Sequence, residues 1–283
     1  MITSEKEILI ADSGATKTDW CFTKNGKIIH RFSGEGISPV FQTGDEIARK
    51  IRTHVYPILK GVRIDAVYFY GAGCIPEKTG LVRDAIHESF PIDNIRVHSD
   101  LIAATHSLCG RNTGIACILG TGSNSCQWNG EEIVKQISPL GFILGDEGSG
   151  AVLGKNLVSD ALKNQLTKGL KEMLLEEYGL TPAIIIEKVY RQPFPNRFLA
   201  SLCPFLLTHI GDPTIRLIVT RSFSAFFERN VMQYDYQKNK VNFVGSIAWY
   251  FSTPLKQVAT EKGIEVGTIV QSPMSGLIDY YNH

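Results

Sequence analysis

A chain of 283 residues, 43% hydrophobic and 20% charged, is long enough to bury a sizeable core in one large or two medium domains. Its 29 basic and 28 acidic residues leave a net charge of +1 with no basic run, which argues against nucleic acid, an anionic membrane or an acidic partner. The opening residues MITSEKEILIADSG read as neither a secretory signal nor a membrane span. Six scattered cysteines without a C-x-x-C pair read as reduced, buried side chains, so a cytoplasmic protein is expected.

In chain order, Ile8–Ala11 is a strand that stops at Asp12-Ser13-Gly14-Ala15-Thr16-Lys17. Thr18–Thr23 resumes as a strand, Asn25-Gly26 turns, and Lys27–Phe32 returns. Thr43 caps a helix predicted over Gly44–Leu59, with Ile47, Ile51, Val55 and Ile58 on one face. Ala66–Tyr70 reads as a buried strand, Glu77–Ser89 as a helix, and Ile95–His98 as a strand followed by a helix from about Asp100.

The second half repeats this order. Strand Gly114–Leu119 ends at Gly120-Thr121-Gly122-Ser123-Asn124, and strands Ser125–Trp128 and Glu132–Ile137 flank a turn at Asn129-Gly130. A helical region runs from about Gly148 to Asn239, with Asp212-Pro213 as a helix start. Strand Val241–Val244, a helix through Thr260, strand Val266–Val270 and a short final helix complete the chain. This is a duplication of architecture, not a short repeat, and helix–strand alternation favours mixed sheets flanked by helices. The halves meet near Cys109–Gly114 without a long linker, which places the expected cleft between them.

Two turns carry the chemistry. The small residues of Asp12–Lys17 suit backbone N–H approach to phosphate oxygens. Thr16 adds a hydroxyl, Lys17 a positive charge, and Asp12 a carboxylate able to hold magnesium through water. Alone, the segment is equally an ordinary hairpin. Gly120–Asn124 repeats the chemistry after the first strand of the second half, and the two together can clamp a triphosphate. Asp100, at a strand end, suits either proton acceptance from a hydroxyl or helix capping. Asp146 and Glu147, bracketed by glycines, suit sugar hydroxyls or a metal, or else simply a helix N-terminus. Gly245-Ser246-Ile247-Ala248 joins a strand to a helix and suits close approach of a flat ligand. Metalloprotease spacing and the G-x-S-x-G elbow are absent.

Taken together, DSGATKTDW (Asp12–Trp20), Ser99-Asp100, GTGSNS (Gly120–Ser125), GDEGSG (Gly145–Gly150), VGSIA (Val244–Ala248) and SPMSGLIDYY (Ser272–Tyr281) resemble N-acetylglucosamine kinase and its bacterial relatives. These belong to the sugar-kinase, Hsp70 and actin superfamily. The resemblance spans nearly the whole chain. It implies an α/β fold of two ribonuclease-H-like domains, the actin-like ATPase fold, around an interdomain cleft. The first would span residues 1–110 with the C-terminal segment 272–283, and the second residues 111–271 with a helical insertion.

By the same resemblance the cofactors are ATP and Mg2+. Asp12, Gly14, Thr16 and Lys17 form the first phosphate motif, with Asp12 toward the metal; Gly120, Thr121, Gly122 and Ser123 form the second; and Gly245 and Ser246 form the adenosine motif. Asp100 matches the catalytic base, and Asn124 and Asp146 match positions near the sugar. Ser38, in Gly36-Ile37-Ser38-Pro39, stands where relatives carry an asparagine that contacts a sugar hydroxyl, and Phe142 replaces the mammalian enzyme's tryptophan. The implied partner is a small-molecule amino sugar, N-acetylglucosamine or glucosamine phosphorylated at the 6-hydroxyl, with no nucleic acid and no membrane; a homodimer is left open. Two other readings compete. An ATPase activator of a 2-hydroxyacyl-CoA dehydratase or benzoyl-CoA reductase system would need paired cysteines for an iron–sulfur cluster, which are absent. A non-catalytic sugar-sensing protein rests on Ser38 alone.

Overall fold

The computed structural model describes residues 6–14 and 17–282. The chain divides into two compact units, Met1–Gly110 with Pro273–His283, and Arg111–Ser272.

The first unit is built on β1 (Glu7–Ser13), β2 (Lys17–Lys24), β3 (Lys27–Glu35), β4 (Ala66–Gly71) and β5 (Ile95–Ser99). They lie in the order β3-β2-β1-β4-β5, antiparallel among the first three and parallel from β1 to β5. Successive side chains of a strand point to opposite faces, and β1 is apolar on both because it is central. Leu9 and Ala11 join a core with Trp20, Phe69 and the helices Gly44–His54 and Thr79–Ser89. Ile8 and Ile10 join another with Ala103 of helix Asp100–Leu108 and Met274, Leu277 and Ile278 of helix Met274–Asn282. Those two helices approach closely at Gly276, where a Cβ would lie 2.3 Å from the Ser107 carbonyl oxygen.

Thr43 and Glu46 form the reciprocal capping box that starts helix Gly44–His54, and Ile47 and Ile51 are fully buried, each contributing about 1.5–3 kcal/mol. The single helix expected to Leu59 is instead two, with a restart at Tyr56–Leu59. Pro57 has no N–H to continue the ladder and clashes with the preceding turn. The restart changes the phase, so Leu59 is buried and Ile58 is exposed. A 3-10 turn, Pro76–Lys78, likewise precedes helix Thr79–Ser89, so that helix begins later than the pattern predicted.

The second unit repeats the topology with β6 (Gly114–Leu119), β7 (Ser123–Trp128), β8 (Ile133–Gln136), β9 (Val241–Val244) and β10 (Val266–Val270), in the order β10-β9-β6-β7-β8. Again the first three strands are antiparallel and the last two join in parallel. Helices between β8 and β9 carry much of the core, with Phe226, Phe227 and Phe243 in mutual ring contact. Asp212 caps the long helix Pro213–Arg229 by accepting from the Thr214 and Ile215 amides, as its sequence predicts. Ser123 and Asn124, read as turn residues, already belong to β7. The helix expected through Thr260 is broken into Ser246–Tyr250 and Ser252–Glu261. No helix among the described residues is long and apolar enough to cross a membrane.

Candidate active site

In the first unit the site begins where β1 ends. The β1–β2 register sets Asp12 directly opposite Asp19, a like-charge cross-strand pair that is unfavourable by itself. The pair is managed locally: Lys17 Nζ lies 2.7 Å from Asp19 Oδ1, and the Ser33 hydroxyl donates to the same oxygen at 2.6 Å. Asp12 has no such relief. Burial first, then the Asp19 and Asp100 carboxylates, push its pKa up to about 7, while Lys17 pulls the other way. A desolvated carboxylate crowded by two others attracts a cation. Among the described residues no group of three or more His, Cys, Asp or Glu side chains is gathered to hold a metal. One carboxylate completed by water and phosphate is nevertheless the donor set magnesium favours, so the residues present fit it. Gly14 is exposed, and its amide donates to the Lys17 carbonyl at 2.9 Å, closing the hairpin. Thr16 lies outside the described residues.

Asp100 follows β5 and opens helix Asp100–Leu108. The cap of that helix is Ser99, whose hydroxyl accepts the Ile102 amide at 3.4 Å. Capping, one of the two roles open to Asp100 in the sequence, is therefore already filled. Burial raises the pKa of its carboxyl, while the backbone amides of Leu101 and of Asp100 itself favour the anion.

In the second unit the turn between β6 and β7 directs its carbonyls inward. The Gly120 oxygen accepts from Gly150 N at 2.8 Å, the Thr121 oxygen from Ala151 N at 3.0 Å, and the Gly122 oxygen from Gly120 N at 3.0 Å. All three carbonyl oxygens, which would repel an anion, are thus engaged. Asp146 stands against this turn: its Oδ1 accepts the Ser123 amide at 3.2 Å. That bond uses the Ser123 amide within the protein, and Ser123 itself is buried, so of the second phosphate motif it is the member least available to a ligand. Asp146 adopts φ +53°, a left-handed backbone that aspartate tolerates at a cost. Its pKa is raised chiefly by burial. Glu147 points elsewhere, with Arg229 Nε at 2.5 Å and Asn230 Nδ2 at 3.4 Å. The two adjacent carboxylates therefore differ in role, one facing the turn and one anchoring the helical layer.

Asn124 Oδ1 accepts from Ser125 N at 2.9 Å and from Gln136 Nε2 at 3.2 Å, which leaves the amide nitrogen as the end that can reach a ligand. Gly245 has φ +124°, and a Cβ there would lie 2.3 Å from the Leu119 carbonyl oxygen. Glycine is thus required where the end of β9 meets the end of β6, which brings exposed Ser246 beside the Gly120 turn.

Ser38 sits in the first unit, and its side chain is nearly enclosed. Its Oγ donates weakly to the Ala72 carbonyl at 3.4 Å and its amide donates to Gln42 Oε1 at 3.1 Å. Sequence reasoning missed a polar group shared by β4, the helix that Asp100 opens and the C-terminal helix. The fully buried Tyr70 on β4 sets its hydroxyl 2.8 Å from His106 Nδ1 and 2.5 Å from the Tyr281 hydroxyl. Only the SPMSGLIDYY string gave any signal there, and it said nothing of what its tyrosines meet.

No family model matches the chain. It is 27% identical over 252 residues to N-acetyl-D-glucosamine kinase of Dictyostelium discoideum, covering 79% of this chain and 78% of that protein. It is 48% identical, with a TM-score of 0.95, to the crystal structure of a Porphyromonas gingivalis protein provisionally named N-acetylglucosamine kinase, covering 97% of this chain and 98% of that one. A Chromobacterium violaceum structure matches with a TM-score of 0.76 over 97% of this chain and 98% of its own, at 16% identity, and so shows the shared fold. The duplicated 3-2-1-4-5 sheets and these neighbours define the class, an α/β protein of the actin-like ATPase fold. Within that class the chain belongs to the family of N-acetylglucosamine kinase and its bacterial relatives, in the sugar-kinase, Hsp70 and actin superfamily.

Proposed function

We propose that this protein is a cytoplasmic kinase that uses magnesium ATP to phosphorylate an amino sugar, N-acetylglucosamine or glucosamine, at its 6-hydroxyl. The observation that carries the reading is Asp100. It is a desolvated carboxylate at a strand end whose structural alternative, the helix cap, is already supplied by Ser99. Raised basicity suits a group that must take a hydroxyl proton. The amides of Leu101 and Asp100 act against that burial and favour its anion.

The remaining residues divide the work. In the second unit, the amides of Thr121 and Gly122 and the Thr121 hydroxyl bind phosphate oxygens, since the carbonyls of that turn are engaged inward. Lys17 adds a positive charge in the first unit, and Asp12 would hold the magnesium ion. When bound, that ion neutralises phosphate charge, which is most of what phosphoryl transfer requires. The Asn124 amide and the Asp146 carboxylate orient the sugar by donating to and accepting from its hydroxyls. Gly245 and Ser246 lie along the base. Six buried free cysteines support a reducing compartment.

The deciding experiment is a coupled ADP-release assay with magnesium ATP across a panel of amino sugars. Sugar-dependent release, strongest with N-acetylglucosamine or glucosamine and yielding the 6-phosphate, is the expected result. Release that ignores the sugar would favour an ATPase, and none at all a sensor.

A further inference from the structure

The face of the first sheet covered by helices Asp100–Leu108 and Met274–Asn282 is unusually polar for a core. Tyr70 pairs laterally with His98 in the β4–β5 register, with ring centroids 5.3 Å apart. Its hydroxyl reaches His106 Nδ1 at 2.8 Å and the Tyr281 hydroxyl at 2.5 Å. The C-terminal helix closes the group. Tyr281 stacks on Tyr68 at 3.6 Å between centroids, and Tyr280 stacks on His106 at 4.0 Å.

The placement relative to Asp100 is what matters. His98 is the penultimate residue of the strand that delivers Asp100, two residues before it, and His106 lies in the last turn of the helix that Asp100 begins. Tyr70 therefore meets a residue on each side of Asp100, His98 through ladder pairing and ring contact and His106 through its hydroxyl, without being near Asp100 in sequence. An apolar filling would serve a merely structural face with no polar groups to satisfy. Buried phenols and imidazoles are costly unless every partner is in place, and for that reason they specify one arrangement of the elements that carry them.

We propose that the His106–Tyr70–Tyr281 hydrogen-bond chain, supplied in part by the C-terminal helix, is a positioning device that holds Asp100 in register for proton acceptance. This rests on the reading of Asp100 as the base. A displacement of about 1 Å at a reacting group typically costs on the order of 100-fold in rate, and loosening a support that acts through the flanking strand and helix is expected to cost less, roughly 5- to 30-fold.

The test uses the full-length protein with Tyr281→Phe, which keeps the ring and its stacking but removes the hydroxyl, and with Tyr70→Phe as a second variant. Both should lower kcat by roughly 5- to 30-fold while the KM for ATP stays within about twofold. Amide hydrogen exchange across Leu101–Ala104 should accelerate about tenfold, with the second unit unaffected. A kcat within twofold of the parent together with unchanged exchange at Leu101–Ala104 would overturn the inference. So would a loss of rate that only tracks the fraction of protein unfolded. If the parent phosphorylates no sugar, the proposed function fails, and the exchange measurement still decides whether this chain orders the Asp100 turn.

Discussion

Ser99 and Asp100 divide between them two tasks that a single aspartate often combines: the Ser99 hydroxyl accepts the Ile102 amide, and Asp100 enters the helix at its first position. The two roles can therefore be separated by substitution. Asp100→Asn keeps the shape and is expected to lower turnover by about 10²–10⁴-fold with little change in ATP affinity or Tm. Ser99→Ala should instead cost about 1 kcal/mol of stability. Steady-state kinetics and thermal melts of both variants make the check. Normal turnover by Asp100→Asn would remove the base role.

Gly122 packs against the carboxylate of Asp146, and a Cβ built there would lie 3.2 Å from Oδ2. Gly122→Val should therefore do two things, blocking phosphate approach and displacing Asp146. ATP affinity is expected to fall below detection by calorimetry, with the KM for sugar rising as well, in a protein that still folds. A folded variant with undiminished ATP affinity would exclude the turn from the nucleotide site.

Asp12 makes stability depend on pH in a direction opposite to that of a salt-bridged carboxylate. Unfolded, it titrates near 3.8; folded, near 7. Between these values the native protein keeps a proton that the unfolded chain has released, so this group's contribution falls as pH rises and levels off above about 7. Asp12→Asn removes the penalty. In magnesium-free buffer the variant should gain on the order of 4 kcal/mol over the parent between pH 4 and pH 8. Urea titrations at the two pH values test this, and parallel curves would show that Asp12 is not desolvated in solution.

Ser38 lies almost enclosed beside Ala72, its hydroxyl donating one long hydrogen bond to the Ala72 carbonyl. Ser38→Asn adds a carboxamide with donors of greater reach, and it is expected to raise activity toward N-acetylglucosamine while leaving the KM for ATP unchanged. A net hydrogen bond of ~1 kcal/mol corresponds to about a fivefold change in the sugar KM. If neither the sugar KM nor sugar preference moves, this position does not touch the sugar.

Local chemistry made much of the molecule legible in the sequence. The two series of strands, the Thr43 and Asp212 helix starts and the small-residue turns all depend on residues within a few positions of one another. Alternation and capping operate at that range. The break at Pro57 was equally local, but a helical hydrophobic pattern continued through it and concealed the change of phase. What tertiary structure alone decided are the pairings between distant residues. Asp12 faces Asp19 only because of the β1–β2 register, Asp146 turns to Ser123 while Glu147 turns to Arg229, and Tyr281 reaches Tyr70 across 211 positions of sequence. No propensity encodes such meetings. They exist because the folded backbone brings the groups within hydrogen-bond range, where burial makes each polar partner a requirement.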